Sequence, residues 1–117
     1  MFGLFKKKSA SPKNDGVRKA LAAHGDDGTL VRHVIHFAYP LDDRDPGDKD
    51  AARAIVNDEI EVTYTETDDS PGIVFEHYRE VASGGFDDLT NRLEDRLATI
   101  GWDYDGWECA VATGVQE

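Results

Sequence analysis

Residues 60–100, IEVTYTETDDSPGIVFEHYREVASGGFDDLTNRLEDRLATI, decide the fold. Ile60, Val62 and Tyr64 alternate with Glu61, Thr63 and Thr65, the period of two that a half-buried strand shows. Asp68-Asp69-Ser70-Pro71-Gly72 follows as a turn, because proline presets φ, glycine frees it, and short polar side chains bond back to the local backbone. A second strand is predicted from Ile73 to about Val81. Ser83-Gly84-Gly85 breaks it, and the period changes. Phe86, Leu89, Leu93, Leu97 and Ile100 recur at helical spacing as one apolar stripe, which Gly101 closes. Two consecutive strands followed by a one-sided helix imply a sheet covered on one face.

Working outward, Leu30–Ala38 is rich in β-branched and aromatic residues and stops before Pro40, which predicts a strand over 30–38. Asp45 is placed to cap a helix with Pro46 in its first turn, over about 46–58, with Ala51, Ala52, Ile55 and Val56 on one face. A last strand is expected over 106–113. The order β-α-β-β-α-β predicts an α+β, ferredoxin-like domain: a four-stranded antiparallel sheet in the order 4-1-3-2 with two helices on one face. Asp15 can cap a short extra helix running to His24, with Val17 and Leu21 on its apolar side and Gly25 as its stop. Residues 1–14 carry no pattern a core could use. The expected organisation is a disordered basic tail over 1–14 and a single domain over 15–117.

With 117 residues there is room for one modest core. The single cysteine, Cys109, cannot form an internal disulfide, so no oxidising compartment is needed. No apolar run approaches the roughly 18 residues of a spanning helix. Apolar residues precede the lysines in Met1–Lys8, the reverse of a secretory signal, and the expected location is the cytoplasm. The net charge is −11, unevenly spread. Lys6, Lys7, Lys8 and Lys13 stand in a start without acids, leaving nine basic against 24 acidic residues, or −15, for the remainder. Such a body repels phosphate backbones, which argues against direct nucleic-acid binding and favours a basic protein partner.

Residues with chemical capacity give no active site. His33 and His36 are three apart on a strand and point to opposite faces, so they cannot share a metal within it; a composite site with His77 is the only alternative among the histidines, and polar sheet positions explain them better. Asp103-Tyr104-Asp105-Gly106 fails as a calcium loop because position twelve would be Gly114; Asp105-Gly106 is a turn into the last strand. Cys109 suits a small buried residue. Ser83-Gly84-Gly85 could offer backbone N–H groups to an anion, but Asp87 and Asp88 oppose it. No phosphate loop, nucleophile elbow or dinucleotide fingerprint occurs. The chain is expected to be no enzyme and to need no cofactor and no metal.

The segment Trp102-Asp103-Tyr104-Asp105-Gly106-Trp107-Glu108 resembles the closing signature of the regulator of ribonuclease activity B family, in which Tyr-Asp-Gly-Trp leads into the last strand. The helix, Gly-Asp turn and histidine-bearing strand over Val17–Phe37 are similar to that family's opening, with His36 at a matching place. The resemblance covers roughly residues 15–113. It implies a non-catalytic inhibitory protein that binds endoribonuclease E and modulates its activity in RNA decay. The family's long acidic C-terminal tail has no counterpart here, and the lysine-bearing start is additional.

The partner site is expected on the open face of the sheet. In the first strand Val31, Ile35 and Phe37 make the more apolar phase and should face the helices, which turns Arg32 and His36 outward. Ile60, Val62 and Tyr64, then Ile73 with Phe75, and Trp107 with Cys109 and Val111, form the other inward sets. Glu76, Tyr78 and Glu108 join Arg32 and His36 on the uncovered face, with Tyr104 at its rim; Trp102, Tyr104 and Trp107 form an aromatic knot around the last turn. A polar, acidic face carrying an aromatic suits a basic peptide or domain. The alternative function is a membrane-recruited adaptor or small-ligand module, with Phe2, Leu4 and Phe5 dipping weakly into a lipid interface and Lys6, Lys7 and Lys8 meeting anionic headgroups.

Overall fold

A computed structural model of the chain describes residues 12–42 and 48–112. The elements are α1 (Pro12–Ala22), β1 (Arg32–Pro40), α2 (Lys49–Glu59), β2 (Thr63–Tyr64), β3 (Ile73–Arg79), α3 (Gly84–Ala98) and β4 (Trp102–Cys109). The expected cap at Asp45 and the start of its helix at Pro46 lie outside the described residues, and Asp48 caps α2 instead, accepting from the Ala51 N–H at 3.1 Å. Ser83 caps α3 by accepting from the Phe86 N–H at 3.1 Å, and Asp87 places a carboxylate in the positive first turn. Phe86, Leu89, Leu93 and Leu97 are buried as their spacing predicts; Ile100 lies past the helix end and is exposed.

All strand pairs are antiparallel, in the order β2-β3-β1-β4, which from the β4 edge reads 4-1-3-2. The three helices provide the only layer described against this sheet. Ala52 and Val56 of α2 and the stripe of α3 close over Val34, Ala38, Ile73, Phe75, Trp102, Tyr104 and Trp107 to make one core. Ile60, Val62 and Tyr64 pack against its margin, on the expected side, but only Thr63 and Tyr64 form ladder, so β2 is much shorter than the strand over 60–66 that the alternation predicts.

Three expectations need correction. The tail does not reach residue 14, because α1 begins at Pro12 and Asn14 is buried. Asn14 Oδ1 accepts from Trp107 Nε1 at 2.6 Å, while its amide donates to Asp87 at 2.8 Å and Thr90 at 2.9 Å. A polar residue in an amphipathic pattern gives no sign of such partners in advance.

The last strand starts at Trp102 rather than Gly106, and Asp105-Gly106 is a bulge inside it. Phe37 pairs with Gly106 and Ala38 with Tyr104, so Asp105 is one residue extra. Gly106 has φ 107°, a conformation closed to most side chains. The bulge turns both Tyr104 and Trp107, three apart, toward the helices; both are buried. Val111 falls beyond the strand and is 49% exposed instead of inward.

The phase of β1 is the reverse of the expected one. Arg32, Val34, His36 and Ala38 are buried on the helix side, and His33, Ile35, Phe37 and Tyr39 face away at intermediate exposure. Apolar content alone favours the other phase. Arg32 and His36 go inside because each finds its hydrogen-bonding partners there, which removes the cost of burying them.

Candidate functional site

On the covered side, the polar groups are tied up. Arg32 pairs with Asp26, both side chains essentially inaccessible. The guanidinium holds the Asp26 carboxyl far below the usual carboxylate range, against the opposing effect of burial. Asp26 also accepts from the N–H groups of Gly28 at 2.9 Å and Ala112 at 2.8 Å, so the pair fastens the α1–β1 turn to the end of β4. His36 Nδ1 lies 2.7 Å from the Tyr104 hydroxyl and His36 Nε2 lies 2.8 Å from His77 Nε2. Burial lowers His36 to about 3 and His77 to about 4, so both rings are neutral near pH 7. One proton order satisfies the chain Tyr104–His36–His77 in either direction, with each group donating once to the next.

Tyr104 is buried, with its phenol pushed further up by the same burial. His77 does meet His36, but no group of three or more His, Cys, Asp or Glu side chains among the described residues could hold a metal ion. Cys109 is half-buried and burial raises its thiol, the opposite of an activated nucleophile. A cavity of about 150 Å³ opens between α1, α3 and the β4 bulge, lined by Asn14, Asn91, Glu94 and Tyr104 among others.

The uncovered face is different. Its rows cross the sheet in register: His33 with Tyr78; Thr63, Glu76, Ile35 and Glu108; Val74, Phe37 and Gly106; and Tyr39 with Asp103. Tyr78 is 71% exposed and stacks on the His33 ring, centroids 5.0 Å apart. Glu76 accepts from the Thr65 hydroxyl and meets His33 Nε2, both at 2.6 Å, and these bonds lower its carboxyl. Glu108, Asp103 and Asp105 are exposed on β4. Every described lysine and arginine lies on a helix or, as Arg32 and Arg79, on a strand position of the helix side; Arg79 sits 5.1 Å from the Phe86 ring of α3. The face therefore carries carboxylates and aromatics, with no described lysine or arginine among them.

Of the predicted partner-site residues, Glu76, Tyr78 and Glu108 share this face. Arg32, His36 and Tyr104 do not; they are buried on the other side. Ile35, Phe37, Tyr39 and Val74 were assigned inward or left aside by the sequence pattern, and the structure adds them to the open face. The six residues proposed for membrane contact, Phe2, Leu4, Phe5, Lys6, Lys7 and Lys8, lie outside the described residues. Among the described residues no helix is long and apolar enough to cross a membrane.

Fold and site together define a small α+β domain whose helices cover one side of a four-stranded antiparallel sheet. The chain belongs to the regulator of ribonuclease activity B family, whose model matches residues 12–109, from the first residue of α1 to the last of β4. Membership makes it a regulator of ribonuclease activity. No curated protein matches the chain.

Proposed function

We propose that this domain regulates an endoribonuclease of the E type by binding it as a protein, through the uncovered sheet face, and does no chemistry itself. The family match supports regulation of a ribonuclease, and the observation that carries the mode of action is the carboxylate-bearing face, free of described lysine and arginine, with Tyr78 standing out of it. Exposed tyrosines are common anchors of protein interfaces, and carboxylates steer basic partners while repelling RNA. His36 and His77, bonded to one another and lowered by burial, are weak bases, which goes with a role in packing rather than turnover. A ferredoxin-like label for the fold and a cytoplasmic location go with this reading.

The direct test mixes the purified domain with a purified ribonuclease of this type and follows complex formation and RNA cleavage. Binding that weakens with salt, slower cleavage, and loss of both in Tyr78→Ala and Glu108→Lys are expected. Wild-type binding by both variants would move the site to the helical face or the chain start. Binding to RNA itself in the absence of the nuclease would overturn the mode of action.

A further inference from the structure

The open face has internal relief that specifies its occupant. Three consecutive rows pair β1 with β4: Ile35 beside Glu108, Phe37 beside Gly106, and Tyr39 beside Asp103. The β4 partners in these rows are therefore acid, glycine, acid, with the extra, exposed Asp105 next to Gly106, while along β1 the face runs isoleucine, phenylalanine, tyrosine. The middle row is uncharged across three strands, with Val74 of β3 on the far side of Phe37. At Gly106 a Cβ would meet nothing within 4 Å, and the β4 partner of Phe37 carries no side chain, whereas the β4 partners of Ile35 and Tyr39 are Glu108 and Asp103. The result is a shallow apolar notch over Gly106 with carboxylates one row away on both sides, and Glu76 on β3 adds a third beside Ile35.

We propose that this notch receives one apolar side chain of an extended, cationic protein segment, whose flanking lysines or arginines meet Glu108 on one side and Asp103 on the other. The inference rests on the uncovered face being the partner site. The spacing follows from strand geometry. Adjacent rows stand roughly 6.7 Å apart, twice the rise per residue, and side chains two apart on an extended segment have the same separation. A segment lying along β1 thus presents cation, apolar residue, cation to acid, notch, acid. Charge selects the partner: the face holds carboxylates and no described lysine or arginine, so an acidic segment is repelled and a basic one is drawn in. Gly106 serves two purposes here, since its positive φ makes the bulge and its missing side chain opens the notch.

The probe is a synthetic peptide with lysine at its first, third, seventh and ninth positions, leucine at the fifth and serine between, titrated into the full, isotope-labelled chain and followed by NMR. Shifts should gather on Ile35, Phe37, Val74 and Gly106. Replacing the central leucine with alanine should weaken binding about tenfold, the loss typical of an anchor side chain. A glutamate version should not bind. The double variant Asp103→Lys, Glu108→Lys, whose positions are exposed and outside the core, should lose most of the affinity at low salt. Shifts confined to the helices, equal affinity of the leucine and alanine peptides, or absence of binding at millimolar peptide would each overturn the notch. Testing the same double variant against purified ribonuclease separates the two claims. Retained ribonuclease binding without peptide binding removes the notch and leaves the ribonuclease reading standing; peptide binding as described with no ribonuclease binding by wild type does the reverse.

Discussion

The two sides of β1 come from the same nine residues and hold opposite kinds of side chain. Toward the helices stand Arg32, Val34, His36 and Ala38, all buried; toward the open side stand His33, Ile35, Phe37 and Tyr39, all partly exposed. The covered side contains the charge and the buried imidazole, and the uncovered side contains most of the aromatic surface. A strand turns its polar phase inward when the interior provides complete partners for it, and leaves its apolar phase outside when that phase has a use there. Asp26 for Arg32, and Tyr104 with His77 for His36, are those partners.

If that contrast is right, damage to the covered side should act on stability and damage to the open side on binding. The largest effect should come from Asp26→Ala, which strands Arg32 in the interior. A loss of about 3–5 kcal/mol is expected in chemical denaturation, with the paired replacement Asp26→Leu, Arg32→Met much milder than the single one. Equal losses in both would mean that the two residues contribute mainly by packing. Leu93→Ala, in the middle of the α3 stripe and fully buried, should cost about 2–5 kcal/mol, whereas Ile35→Ala on the open side should cost about 1 kcal/mol. A comparable cost at both positions would break the distinction between the faces.

The pH dependence sharpens the same comparison. His36 and His77 stay neutral when folded because burial lowers them to about 3 and about 4 from 6.5. The unfolded chain takes up protons on both as pH falls through about 6.5, while the folded chain does not, so stability drops with falling pH. Between pH 6.5 and 5 the slope should reach at most about 1.4 kcal/mol per pH unit for each histidine. Asp26, held low by Arg32, loses its stabilising contribution only at lower pH, below its unfolded value of 3.8. Denaturation midpoints measured from pH 7.5 to 5 should fall in wild type and fall less steeply in His77→Gln, where His36 alone remains lowered by burial. A flat wild-type profile would show that the pair is hydrated. The smallest effects on stability, within about 0.5 kcal/mol, belong to Tyr78→Ala and Glu108→Lys, and thermal melts should show them near wild type while ribonuclease binding is lost.

Much of the architecture was legible because it depends on local periodicity. Alternation over 60–64 and the four-spaced stripe over 86–97 each identify an element and its inner face, since only one period matches each. The closing heptapeptide Trp102–Glu108 carried the family resemblance that the match over residues 12–109 bears out. What that heptapeptide does structurally was less legible. A glycine after an aspartate signals a turn in most settings, and only pairing with Phe37 and Ala38 makes it a bulge.

Composition and period by themselves determined the α+β class, the positions of two helices, the antiparallel strands beside them and the acidic balance. Tertiary structure alone decided which way β1 faces, and with it where Arg32, His36 and Tyr104 lie. The physical reason is one of range. Periodicity is a property of neighbouring residues, whereas the sign of a polar residue's burial energy depends on whether a partner is present: His36 finds Tyr104 68 positions later and His77 41 positions later.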